Sequence, residues 1–294
     1  MSDDANDDRE HALMFPGPVV GPGSQPEEDD GAELDYMVMP EGMSVYSVPD
    51  LPEPDELAGR TATMDVLNRV AEGLAAFKVG DMPIAYDVSD LDTANRELLD
   101  QILGEGEVSM IAGGLAQAQE SVLAGVWRVR LTNPDGALVS DSIEIGPFPN
   151  TVLQLAFRGA RDRLATDAEV LDGVANAPAL VTEINAELAE REQIAKDEPH
   201  VINLSLLPLS EQDVTYLGSL LGYGPVTVLS RGYGNCRIQS TATRGVWAVQ
   251  FFNSQDTLIL NTIAVTDVPL MACAAQEDID DSAQRLVEIL KVYQ

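Results

Sequence analysis

Apolar residues recur at helical spacing over 63–77, TMDVLNRVAEGLAAF, and again over 179–195, ALVTEINAELAEREQIA. The pattern predicts a helix at each place. An extended segment follows in both cases, MPIAYDV and then HVINLSLL. A second helix comes next. Its predicted N-cap is Asp92 or Thr93 in the first case and Ser210 in the second. It ends at Gly104 and at Gly222, residues suited to a left-handed cap. The apolar period then drops to two. This predicts an antiparallel meander of three strands, near 107–112, 121–132 and 137–146, and again near 225–230, 238–252 and 257–266. The turn signals NPDG and NSQD join the last two strands of each meander. Helical segments close both series: TVLQLAFRGARDRLA with AEVLDGVA in one, DDSAQRLVEILKVY in the other.

The same element series is therefore predicted twice, and the residues agree with that reading. A shift of 118 places Ile84 on Ile202, Leu91 on Leu209, Leu99 on Leu217, Gly104 on Gly222 and Val108 on Val226. Two extra residues in the later series raise the shift to 120. Gly125-Val126-Trp127 then falls on Gly245-Val246-Trp247, Asn133 on Asn253 and Pro149 on Pro269. The matches are glycines, core-type apolar positions and turn residues, the positions that backbone geometry constrains most. The expected fold class is α+β: two tandem, structurally similar repeats, each helix–strand–helix–antiparallel β-meander–helix, over 61–177 and 178–294. Both tryptophans of the chain stand at matching strand positions and are expected to pack in the core.

Residues 1–60 depart from this pattern. They carry 16 Asp and Glu against two arginines, and 8 of the 17 prolines. Such an acidic Pro/Gly-rich tail is expected to be disordered or docked in extended form. Its apolar stretch holds Tyr36, Met39 and Met43, which a purely solvating tail does not need. These three are candidate contacts, either to the folded body or to a partner.

The charge narrows the range of partners. A formal net charge of −32 over 294 residues repels nucleic acid and anionic membrane surfaces and attracts basic peptides. No apolar run is long enough for a transmembrane helix, and the acidic start is unlike a secretory signal. Two cysteines, Cys236 and Cys273, do not make a disulfide framework and fit a reducing, cytoplasmic setting. With only two histidines besides, a four-ligand zinc site of thiolates and imidazoles is not expected. No Walker loop, GxSxG, HExxH or CxxC is present.

The two series differ most between the first two predicted strands. The earlier one reads AGGLAQAQES, the later one SRGYGNCRIQS. Arg231, Gly232, Tyr233, Gly234, Asn235, Cys236 and Arg237 thus form a candidate partner-binding loop. Its arginines suit a carboxylate, Tyr233 suits an aromatic anchor, and the glycines allow close approach. Cys236 is a candidate acidic thiol beside two arginines. The plainer reading is that the arginines pair with the chain's own acids and that Cys236 fills space in the core.

INLSLLPLSEQD, the long block LGYGPVTVLSRGYGNCRIQSTATRGVWAVQFFNSQDTLILNTIAVTDVP, GPGSQPEEDDG and MPEGMSVYSVPDLPEP closely resemble the HupH/HyaF family. These are hydrogenase expression/formation proteins of bacterial uptake nickel–iron hydrogenase operons. The resemblance implies a cytoplasmic accessory protein with no catalytic residues and no established cofactor. It also implies action on the iron–sulfur small-subunit precursor before twin-arginine export, with a thioredoxin-like companion. An alternative is a redox or cluster-handling factor acting through Cys236.

Overall fold

The computed structural model describes Pro52, Leu57 and residues 59–293 apart from Ala195, Asp197 and Tyr233. In chain order these form α1 (Thr61–Ala76), β1 (Ile84–Asp87), α2 (Thr93–Leu103), β2 (Val108–Ala112), β3 (Ala116–Glu120), β4 (Val126–Thr132), β5 (Leu138–Ile145) and α3 (Asn150–Ala156). Then follow α4 (Ala177–Gln193), β6 (His200–Asn203), α5 (Glu211–Leu221), β7 (Val226–Ser230), β8 (Asn235–Ser240), β9 (Val246–Phe252), β10 (Leu258–Val265) and α6 (Gln276–Val292). The α+β class is as expected. Among the described residues no helix is long and apolar enough to cross a membrane.

The chain divides into two compact units, each built from non-contiguous segments. The Trp127 unit takes the described residues of 40–156, with 225–233 and 270–294. Its strands run in the order β1-β5-β4-β3-β2-β7, antiparallel throughout. Its core joins Leu67, Val70 and Leu74 of α1, Leu99 and Ile102 of α2, Ile143 and Ile145 of β5, and Ile279 and Leu286 of α6. The spacing of Ile279, Ala283, Leu286 and Leu290 places these side chains on one stripe of α6. Gly125, at φ +79°, lies where a Cβ would run into Ile279, so both its conformation and its neighbour demand glycine.

The Trp247 unit takes residues 157–224 and 234–269. Its strand order is β8-β9-β10-β6, again antiparallel. Ile184 of α4, Leu217 and Leu221 of α5, Val246 of β9, and Ile263 and Val265 of β10 form its core. Each fully buried Leu or Ile of this kind contributes about 1.5–3 kcal/mol by leaving water.

Matching positions of the two series share local geometry. Asp92 caps α2 by accepting from the Asn95 amide. Ser210 caps α5 in a full capping box with Asp213. Both helices end on glycine at positive φ, Gly104 and Gly222. Trp127 and Trp247 are fully buried. The indole of Trp127 donates to the Gly146 carbonyl at 2.9 Å, that of Trp247 to the Asp267 carbonyl at 3.2 Å. In the last hairpins, Asn133 Oδ1 accepts from the amides of Asp135 and Ala137, and Asn253 Oδ1 from those of Gln255 and Thr257.

Three expectations need correction. Each series holds a fourth strand after its second helix, because AGGLAQAQES contains β3 and SRGYGNCRIQS runs into β8. Small side chains hid both strands: Ala116 and Ala118 face inward, as do Cys236 and Ser240. The single strands expected over 121–132 and 238–252 are broken by tight turns, closed by the Val126 amide on Leu123 and the Val246 amide on Thr243. AEVLDGVA is not helical, and α3 stops at Ala156, with Gly159 at φ +78° shortly after.

Candidate functional site

Part of the segment singled out as a loop between β7 and β8 is strand, because β8 begins at Asn235. Arg231 and Gly232 belong to the Trp127 unit. There the Arg231 amide donates to the Glu107 carbonyl at 3.2 Å, and a side chain on Gly232 would collide with the Glu107 carboxylate. Gly234, Asn235, Cys236 and Arg237 belong to the Trp247 unit, the last three on β8 itself. Gly234 has φ +97°. Tyr233, Tyr36, Met39 and Met43 lie outside the described residues.

Cys236 faces inward beside Ile238 and is 3% exposed. Burial pushes its thiol up to about 12, the opposite of the acidic thiol expected from its arginine neighbours. The side chain points to the opposite face of the strand from Arg237, so sequence adjacency brings no charge to the sulfur. Arg237 is half-buried. Burial pulls its pKa down, opposed by Tyr223, and it holds no ion pair among the described residues. Cys273 is also driven up to about 12 by burial. Among the described residues no group of three or more His, Cys, Asp and Glu is placed to hold a metal ion.

The densest chemistry sits in the Trp127 unit. Asp141 on β5 is fully buried and accepts a two-pronged hydrogen bond from Arg128 on β4, at 2.5 and 2.6 Å. Arg96 of α2 and Arg130 of β4 approach the same carboxylate at 3.6 and 3.8 Å. Strand alternation explains the convergence. Arg128 and Arg130 are two apart on β4, and Arg130 lies directly opposite Asp141 in the ladder. Asp100, one turn along α2 from Arg96, reaches Arg130 at 2.9 Å and Arg128 at 3.4 Å.

Beside this cluster lies a cavity of about 150 Å³, lined among others by Asp100, Glu105, Ser109, Gln117, Arg128 and Arg130. Sequence reading missed it. The signal was present in the matched motifs: GVWRVR in the earlier series against GVWAVQ in the later one. Every charged member has a neutral counterpart, Arg96 in Val214, Asp100 in Gly218, Arg128 in Ala248, Arg130 in Gln250 and Asp141 in Asn261.

A second buried group is particular to the same unit. Glu120 on β3 is 9% exposed, and Ser240 stands at its counterpart. Burial foremost lifts its carboxyl to about 7. The charges of Glu107 and Asp278 add to the rise, while the amides of Gly125 and Val108 oppose it.

The family model for the HupH hydrogenase expression protein, C-terminal conserved region, matches this chain twice, over residues 62–170 and 174–293. The hydrogenase expression/formation protein HupQ of Azotobacter chroococcum is 48% identical over 92% of this chain and 95% of its own length. The hydrogenase expression/formation protein HoxQ of Cupriavidus necator is also 48% identical, over 94% of this chain and 97% of its own. A solved structure of a hydrogenase expression protein HupH from Thiobacillus denitrificans shares 31% identity, covering 39% of this chain and 93% of that one, at a TM-score of 0.36.

Proposed function

The chain belongs to the HupH family of hydrogenase expression proteins, and from that premise we propose that it is a maturation chaperone. It holds the iron–sulfur small-subunit precursor of a nickel–iron hydrogenase, twin-arginine signal peptide included, in the cytoplasm before export. A thioredoxin-like accessory protein is a second partner. The family relation supports the role in hydrogenase expression and formation. The net charge of −32 carries the choice of partner. A signal peptide with a basic start is steered toward a strongly acidic surface, and the attraction fades as salt shortens its reach to about 8 Å near physiological ionic strength.

The two series of elements descend, in this reading, from a duplicated unit. Matched caps, buried tryptophans and hairpin turns support it, as does one family model matching the chain twice. The redox alternative draws no support from Cys236, whose buried thiol is a poor nucleophile at neutral pH.

The test is association of the full-length chain with the precursor, with and without its signal peptide, at low and high salt. Binding is expected to weaken about tenfold or more on raising the salt, and to be largely lost without the peptide. Affinity unchanged by both would overturn the proposal. In the same setting Cys236→Ser is expected to leave hydrogenase maturation intact, and loss of maturation by a folded variant would revive the redox reading.

A further inference from the structure

We propose that the cavity beside Arg128 and Arg130 is a binding site for a small oxyanion, a carboxylate or a phosphate, and that Asp100 occupies its place in the free protein. The argument begins with the buried charge. Three guanidiniums, of Arg96, Arg128 and Arg130, surround Asp141. Asp141 is fully buried and doubly bonded to Arg128, so it is a fixed counter-charge for one of them. Arg128 is only 7% exposed, and its Nη1 has no hydrogen-bond partner although it is buried at the cavity wall. A buried guanidinium donor left unmet is costly, and an acceptor entering the cavity would satisfy it.

Asp100 comes nearest to doing so. Its carboxylate stands 3.4 Å from Arg128 Nη1 without making a hydrogen bond to it, while it bonds Arg130 Nη2 at 2.9 Å. Its side chain is 45% exposed and can turn to water at little cost. Glu105, the other carboxylate of the lining, is only partly buried and has the same freedom. Arg128 is held in place by its paired bonds to Asp141, whereas Asp100 and Glu105 have no such anchor. An incoming oxyanion would displace Asp100 and meet Arg128 and Arg130 together. The volume of about 150 Å³ admits a group of a few heavy atoms. The overall negative charge opposes this only over the Debye length, and paired arginine contacts act at closer range.

The site stands apart from the chaperone reading and is tested without any hydrogenase. The full-length chain is titrated with sodium phosphate, with sodium succinate and, at matched ionic strength, with sodium chloride. Amide chemical shifts of β4 and α2 are followed. Phosphate or succinate, or both, is expected to give saturable shifts that chloride does not, and the stronger of the two identifies the oxyanion. Arg130→Gln copies the neutral counterpart Gln250 at a partly exposed position and is expected to weaken binding by about tenfold. Asp100→Asn is expected to strengthen it several-fold. Equal shifts with chloride, undiminished binding by Arg130→Gln, or no gain with Asp100→Asn would each overturn the proposal.

Discussion

Matching ladder positions carry an ionic cluster in the Trp127 unit and neutral residues in the Trp247 unit. Arg128, Arg130 and Asp141 on β4 and β5 correspond to Ala248, Gln250 and Asn261 on β9 and β10, in the same ladder register. Both arrangements sustain the same hairpin, caps and buried indole. The cluster is therefore not something the shared element series requires. A buried ion network often stabilises no more than the apolar or neutral packing that replaces it. That contrast makes the Trp127 cavity the better candidate for a function, and it moves attention from the β7–β8 segment, whose divergence was plainer in sequence.

The largest expected effect comes from breaking the network at one point. Asp141→Asn copies the neutral counterpart but leaves the buried Arg128 without its counter-charge, and is expected to cost about 3–5 kcal/mol. Urea unfolding of the variant measures it. Adding Arg96→Val, Arg128→Ala and Arg130→Gln neutralises the arginines around it as well and should restore most of the loss. If the single substitution costs less than about 1 kcal/mol, the cluster is not a coupled network.

Next comes Glu120, where Ser240 stands in the other unit. Its folded pKa, about 7, lies above the ordinary carboxyl value of 4.5. The folded state thus holds an extra proton between these values, and stability falls as pH rises through that window. Glu120→Gln should remove the fall and gain on the order of 2–3 kcal/mol above pH 7, with little change below pH 4.5. Parallel stability curves for the two proteins from pH 4.5 to 8 would contradict the assignment.

A smaller contrast concerns the helix starts. Asn95 and Asp213 hold matching positions, each tying its own helix to the one before. Asn95 Oδ1 accepts from the amide and hydroxyl of Thr63. Asp213 Oδ1 accepts from the amides of Ala175, Asn176 and Ala177 at the start of α4. Burial opposes ionisation of Asp213. These amides and that of Ser210 outweigh it and hold the carboxyl well below its usual range. Its contribution is present above the ordinary value of 3.8 and is lost as pH falls toward the lowered one. Asp213→Asn is expected to cost about 1–3 kcal/mol at neutral pH, measured by thermal or urea unfolding. Loss of the same amount at pH 2 would refute a charge-based role.

The smallest effect separates the hairpin turns. Asp256 has φ +55°, where the counterpart turn uses Gly136 at +79°. Asp256→Gly should stabilise by a few tenths to about 1 kcal/mol, and Gly136→Asp should destabilise by a similar amount. Opposite signs in unfolding measurements would show that side-chain contacts outweigh the backbone preference.

Sequence by itself determined the features that depend on near neighbours. The helix starts at Asp92 and Ser210, the glycine ends at Gly104 and Gly222 and the Asn-led turns are local patterns. Burial of both tryptophans followed from alternation and size. Strands β3 and β8 were obscured because alanine, serine and cysteine carry little hydrophobic signal even when they point inward. Tertiary structure alone decided that α6, last in the chain, packs on α1 at the other end of the folded body, and that β7 pairs with β2. It also gathered Arg96 from a helix with Arg128, Arg130 and Asp141 from two strands, and turned Cys236 away from Arg237. These depend on which surfaces meet and in which register, and no window of neighbouring residues contains that information.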